Sequence, residues 1–115
     1  MKLLVKEYFT TALWASTGPD GEPLDSTFSL EDVSKELILE AEKDIELFLE
    51  KAGALLDGLD LSTVMHDFWI TRNGHGGGFW DGDYTESIGE ALTKISHSFG
   101  KVELYVGNNN KLYRG

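Results

Sequence analysis

The residues 66–84, HDFWITRNGHGGGFWDGDY, concentrate the side chains of this chain that could do chemistry. The segment holds two of the three histidines, two of the three tryptophans and five of the thirteen glycines. Imidazole and carboxylate groups transfer protons and ligate divalent metals, and glycine amides can bind anions. The three consecutive glycines at 76–78 cost conformational entropy on folding. They therefore predict that a ligand, or another element of the same domain, approaches this backbone closely.

Two interpretations of this segment remain open, one chemical and one structural. In the chemical one His75, flanked by glycines, is the candidate acid or base, with His66 and Asp67 as further catalytic candidates. A pocket for a phosphate or carboxylate ligand would be formed by Arg72, Asn73, Gly74, His75, Gly76, Trp80 and Asp81. In the structural one Arg72 and Asn73 satisfy backbone carbonyls of a turn. The structural interpretation is favoured because no Ser-His-Asp order, Walker-type loop or paired catalytic Glu is visible.

A metal site is a weaker alternative for the same segment. His66, His75 and Asp81 are its candidate ligands, since imidazole with carboxylate suits Zn, Mn, Fe or Ni. Their spacing matches no established metal motif. We therefore expect no metal ion and no resident cofactor.

The elements that must position these residues are predicted to form one α+β domain spanning residues 1–115. Aromatic and β-prone residues predict one or two strands in 1–16, and both prolines predict a loop over 17–27. Residues 66–72 and 79–81 are predicted as strands of a hairpin around Asn73-Gly74. A second hairpin is predicted from 102–106 and 111–113. The architecture is then two helices packed on one face of a small, mostly antiparallel sheet.

The two helices are predicted from apolar periodicity. The first runs from about residue 30 to about residue 56, with Ser29 as its N-cap. The second begins after Thr85 and ends at Gly100, which is placed as a C′ residue. The apolar stripe of the first helix contains Val33, Leu37, Ala41, Ile45, Phe48, Ala52 and Leu55.

Composition excludes several classes of protein. The chain has 115 residues, no cysteine and a net charge of −10. A disulfide framework, a Cys-ligated zinc site and thiol catalysis are excluded. The negative charge argues against direct binding of nucleic acid and against docking on anionic membranes. No apolar run approaches the roughly 20 residues of a membrane span, so we expect a cytoplasmic protein.

Much of the negative charge falls on the first predicted helix. Ten acidic residues and three lysines lie between residues 29 and 60. Most of these acids lie opposite the apolar stripe and would form a ridge roughly 40 Å long at the rise of an α-helix. An ordinary solvated helix face is one interpretation. A surface that binds a basic partner is the other, with Glu36, Glu40, Glu46, Glu50 and the hairpin residue Trp69 as its predicted contacts.

Several motifs resemble an uncharacterised family of small acidic proteins from bacteriophage and plasmid genomes. The hallmark of that family is similar to HDFWLTRNGHGAGFWD, which corresponds here to residues 66–81. ALWAS at 12–16, GEPLD at 21–25, SLED at 29–32 and LYVG at 104–107 extend the resemblance over nearly the whole chain. The chain departs from the hallmark at Gly77, where the family has Ala, and again after Asp81. The resemblance implies a phage or mobile-element origin and no established activity.

These observations lead to two functional hypotheses. The first is a non-enzymatic phage or mobile-element accessory protein that binds a host protein in the host cytosol, in an anti-defence or host-modulating role. Mimicry of DNA toward a nucleic-acid-binding host protein is one form of it. The alternative is a small enzyme, or a ligand- or metal-binding domain, that uses the glycine-rich hairpin from His66 to Asp83. An apolar patch left on the sheet would also suit a homodimer.

Overall fold

The computed structural model describes residues 1–75, 77–81 and 83–115. This part of the chain forms four α-helices: α1 (Leu3–Ala15), α2 (Lys35–Ala52), α3 (Leu61–Arg72) and α4 (Glu86–Ser98). Its strands, β1 (Leu104–Val106) and β2 (Leu112–Arg114), form one two-stranded antiparallel sheet. The predicted α+β architecture is therefore wrong, because helices pack mainly on helices and the sheet is too small to support them.

The strands predicted over residues 1–16 are replaced by helix α1. Val5, Tyr8, Phe9, Ala12 and Leu13 are buried, with exposures between 0% and 4%. Their spacing of three and four residues puts them on one helical face. The aromatic content favoured a strand, whereas the helical spacing of the same residues is what the fold uses.

The strand predicted over residues 66–72 is also helical, as the second half of α3. Eight of its twelve residues are buried: Val64, Met65 and the six residues from Asp67 to Arg72. A helix that is enclosed on nearly all sides carries no amphipathic period, and a short apolar run of this kind cannot be told from a buried strand by its pattern. The absence of a polar face is thus the physical reason for the error.

Asn73-Gly74 ends helix α3 and does not turn a hairpin. Gly74 has φ +72°, the left-handed conformation that glycine adopts readily. Its N–H donates to the Thr71 carbonyl at 3.1 Å, and the His75 N–H donates to the Ile70 carbonyl at 3.1 Å. This pair of bonds is a Schellman motif, which satisfies carbonyls at the end of a helix.

Helix α2 is shorter than predicted at both ends. Its N-cap is Ser34, whose hydroxyl accepts a hydrogen bond from the Leu37 N–H at 3.2 Å. The predicted cap, Ser29, instead precedes a 3₁₀ turn, Leu30–Asp32, and its N–H donates to the Asp32 carboxylate. A bridge from Val33 to Leu112 of β2 interrupts the helical backbone between them. With 18 residues, α2 is about 27 Å long at 1.5 Å per residue.

The predictions for the second helix and the second hairpin are confirmed, whereas the strand predicted over 79–81 is wrong, because Gly78–Trp80 form a 3₁₀ turn. Helix α4 follows its N-cap Thr85, and Gly100 stands after its end with φ +75°. Strands β1 and β2 pair with Tyr105 opposite Tyr113. The predicted core stripe of α2 is buried at Leu37, Ala41, Ile45, Phe48 and Ala52.

The core is built around α3. The Phe48 and Phe68 rings stack with centroids 4.2 Å apart, which joins α2 to α3. Tyr8 meets Trp69 edge to face at 5.2 Å, which joins α1 to α3. Over the described ranges, no helix combines the length and the apolar character needed to cross a membrane.

Candidate functional site

His66 and Asp67 lie on α3, where adjacent side chains diverge by about 100° rather than pointing to opposite faces as on a strand. His66 is exposed, and its Nδ1 lies 2.9 Å from the Thr11 hydroxyl of α1. Asp67 is buried, with 8% exposure, and its carboxylate accepts a hydrogen bond from the Tyr84 hydroxyl at 2.5 Å. Each of the two residues therefore has a partner that holds it in place.

The Asp67–Tyr84 pair is electrostatically perturbed. Burial raises the pKa of the Asp67 carboxyl above its ordinary value, and the hydrogen bond from Tyr84 offsets part of that rise. Burial, together with the Asp67 carboxylate, also raises the pKa of the Tyr84 hydroxyl. Asp67 therefore keeps its proton to a higher pH than an exposed aspartate does.

His66 and Asp67 line a groove of about 300 Å³ along one side of α3. We call it the α3 groove; the residues that line it are Trp14, Thr63, His66, Asp67, Ile70, Gly77, Gly78, Asp81 and Asp83. The groove brings together His66, Asp67 and Asp81 from the predicted candidates. Within the described ranges, however, no three His, Asp or Glu side chains are placed to hold one metal ion.

Arg72 is fully occupied by contacts inside the fold. Its exposure is 1%, and Nη1 donates to the Tyr8 hydroxyl at 3.0 Å and to the Asp44 carboxylate at 2.9 Å. Nε and Nη2 donate to the carbonyls of Gly100 and Phe99 at the end of α4. The guanidinium thus joins all four helices. This agrees with the structural interpretation of the segment, in which Arg72 satisfies backbone carbonyls, and its role as a ligand-binding residue stays a prediction.

Asn73 is similarly engaged. Its Nδ2 donates to the Trp69 carbonyl at 2.9 Å, and its Oδ1 accepts from the Val102 N–H at 2.8 Å. The side chain thereby ties the end of α3 to the segment before β1. Its amide has both ends in use and holds the backbone in place.

His75 lies apart from His66. It is exposed just beyond the end of α3 and lines a different cavity, together with Lys101. The predicted catalytic candidates are consequently divided between two places, with His66 and Asp67 in one and His75 in the other.

The glycine-rich stretch packs against α3. Gly78 has φ +74°, and a Cβ at this position would overlap the Thr71 hydroxyl and lie 3.3 Å from the Asp67 carbonyl oxygen. The Thr71 hydroxyl also accepts a hydrogen bond from the Phe79 N–H at 3.1 Å. The glycines predicted that a ligand or another element of the domain comes close to this backbone. At Gly78 that neighbour is helix α3. Gly76, a predicted ligand-binding residue, lies outside the described residues.

The exposed tryptophans differ from the one predicted to bind a partner. Trp69 is 1% exposed and belongs to the core, so its predicted role as an interface anchor is wrong. Trp80, predicted as a ligand-binding residue, is 72% exposed, and Trp14 on α1 is 60% exposed. Position 14 lies opposite the helical stripe of Val5, Tyr8 and Ala12, which explains the exposure of Trp14.

The acidic residues of α2 form an exposed surface. Glu36, Glu40, Glu46 and Glu50 are all exposed, as predicted from their place opposite the core stripe. Glu40 faces Arg114 across 3.8 Å. Two leucines on the same side were not predicted: Leu39 is 59% exposed and Leu47 is 44% exposed. We call this set of six residues the α2 outer face.

Comparisons with protein-family models, with curated proteins and with solved structures found no match.

Proposed function

We propose that this chain is a non-enzymatic accessory protein of a phage or mobile element, and that its α2 outer face docks on the basic surface of a host protein. The observation that carries the proposal is the exposure of Leu39 and Leu47 among four glutamates of one helix. The glutamates alone would keep the protein in solution, and the two leucines add apolar surface that a partner could cover. Apolar residues within a charged surround are the usual composition of a protein contact.

The charge supplies selectivity for a basic partner. Glu36 and Glu50 are fourteen positions apart, which spans about 21 Å at the rise of an α-helix. The whole chain carries −10, so its long-range field favours encounter with a positively charged surface. Such surfaces are typical of proteins that bind nucleic acid through phosphates. A nucleic-acid-binding host protein is thus the partner class that we propose, with an anti-defence or host-modulating effect.

The enzymatic alternative has less support from the geometry. Arg72 and Asn73 were to bind the ligand beside His75, but their polar atoms are used within the fold. His75 and His66 line separate cavities. No described feature joins these residues in one reaction centre.

The proposal is tested by capture from a bacterial lysate followed by competition with duplex DNA. We expect a stoichiometric protein that rising salt elutes and that duplex DNA displaces, since both would occupy its basic surface. The double variant Leu39→Ser, Leu47→Ser should reduce capture at least tenfold. The matched control is Leu61→Ser, at a leucine that is also exposed but lies on α3. Retention that is insensitive to DNA, or equal for both variants, would contradict the proposal.

A further inference from the structure

A second cavity lies where the end of α1, the end of α3 and the segment before β1 meet. Its volume is about 390 Å³, and we call it the Trp69 cavity. Its lining is formed by Ala15, Ser16, Thr17, Trp69, Asn73, His75, Lys101, Val102, Glu103 and Leu104. It shares no residue with the α3 groove or with the α2 outer face.

Trp69 provides the first indication of a ligand. Trp69 is only 1% exposed. Its indole Nε1 has no hydrogen-bond partner among the described residues. Buried indole N–H groups normally have an acceptor, because leaving a buried donor unpaired is costly. An acceptor supplied from the cavity would remove that cost.

The polar groups around the cavity favour an anionic ligand. Lys101 supplies an ammonium group, and within the described residues no ion pair uses it. Ser16, Thr17 and His75 add groups that can donate hydrogen bonds. The Asn73 amide cannot contribute freely, since it is bonded to Trp69 and Val102.

The charges of the lining and the few apolar residues among its polar ones narrow the ligand class. Among the described residues of the lining, Glu103 is the single carboxylate; it opposes a second negative charge and so disfavours a dianion such as phosphate. Ala15, Val102 and Leu104 add apolar surface that suits a hydrocarbon body. We propose that the Trp69 cavity binds a small organic monocarboxylate, with one oxygen held by Lys101 and the other reaching Trp69 Nε1 as the wall side chains adjust.

The test follows the Trp69 indole N–H directly. The double variant Trp14→Phe, Trp80→Phe changes the two exposed tryptophans and leaves Trp69 as the sole indole of the chain. Sodium benzoate is titrated into this ¹⁵N-labelled protein at constant ionic strength. We expect a saturable shift of the single indole cross-peak, and at least tenfold weaker binding of benzyl alcohol and of phosphate.

Lys101→Gln in the same background should weaken benzoate binding at least tenfold. Lys94→Gln is the matched control, because Lys94 is an exposed lysine of α4 outside the cavity lining. A shift that stays linear in benzoate concentration, or that is absent, would overturn the proposal. So would equal binding of phosphate, or unchanged affinity in Lys101→Gln when its remaining spectrum shows a folded protein.

Discussion

The guanidinium of Arg72 and the carboxylate of Asp44 lie 2.9 Å apart, which ties the end of α3 to the middle of α2. The Arg72 side chain is fully buried, whereas that of Asp44 is 26% exposed. Phe68 and Phe99 place their rings 5.3 and 5.6 Å from the same guanidinium, within range of a cation–π interaction. The arginine of the most distinctive segment of the sequence therefore organises the core.

Replacing Arg72 should destabilise the protein strongly. Arg72→Met removes the buried charge and leaves the Tyr8 hydroxyl and the carbonyls of Phe99 and Gly100, just after α4, without their donor. We expect the free energy of unfolding, measured by urea denaturation, to fall by about 3–5 kcal/mol. The exposed pair of Glu40 and Arg114 is the control, and Glu40→Gln should cost less than about 1 kcal/mol. Similar losses in both variants would contradict the central position of Arg72.

The helices differ in how well the sequence predicts them. Helices α2 and α4 have one polar and one apolar face, so their periodicity located them and their buried residues. Helix α3 is enclosed on nearly all sides, and its pattern is that of any buried element. Asn-Gly is favoured in hairpin turns and also at helix ends, because both need a residue with positive φ. Only the long-range contacts of α3 decide between these two uses.

Gly78 should be far less tolerant of substitution than other glycines with positive φ. Gly78→Ala adds a Cβ that overlaps Thr71 and presses on the backbone of α3. Gly21 has a comparable φ of +79° but nothing within 4 Å of an added Cβ. Gly21→Ala therefore measures the backbone strain alone.

We expect Gly78→Ala to lower the free energy of unfolding by about 1–3 kcal/mol more than Gly21→Ala, which is the usual cost of overpacking. Thermal or urea denaturation of the two variants measures the difference. Equal destabilisation would show that the contact with α3 is loose.

Tyr8 should make stability fall at alkaline pH. Burial raises the pKa of its hydroxyl from 10.0 to about 12 in the folded state. The unfolded chain therefore releases this proton first, and stability is lost as the pH rises from about 10 to about 12. The expected loss is on the order of 2–3 kcal/mol. In urea denaturation at several pH values, Tyr8→Phe should remove most of the loss of stability between about pH 10 and about pH 12. Tyr105→Phe, at an exposed position, should leave that loss unchanged.

Asp67 should make the stability of the protein depend on pH in the acidic range as well. Because burial raises its pKa, the folded state holds the proton more tightly than the unfolded chain does. Stability then falls as the pH rises from the ordinary aspartate pKa through the raised value of the folded state. Asp67→Asn keeps an acceptor for the Tyr84 hydroxyl and should remove this slope. Asp25→Asn, at an exposed position, is the control, and an unchanged slope in Asp67→Asn would contradict the assignment.

The candidate sites, like the fold, can be predicted from the sequence only in part. The exposure of the α2 glutamates follows from helical spacing alone. The division of His66 from His75, and the burial of Trp69, depend on how α3 and the following loop pack. A strand would have alternated Phe68 and Trp69 between two faces, whereas the helix buries both. The distribution of these functional residues thus depended on α3, whose type was misassigned.

The most direct test of the proposed function is to reverse the charge of the α2 outer face. The triple variant Glu36→Lys, Glu46→Lys, Glu50→Lys leaves the Glu40–Arg114 pair intact. The control is Asp20→Lys, Glu22→Lys, Asp25→Lys, which makes the same change of net charge at exposed positions of the loop before α2. The association rate of each with the captured host protein is measured at several salt concentrations. We predict at least a tenfold slower association for the α2 variant than for the loop control at low salt, with the difference shrinking as salt rises. Equal rates for the two variants would contradict docking through α2.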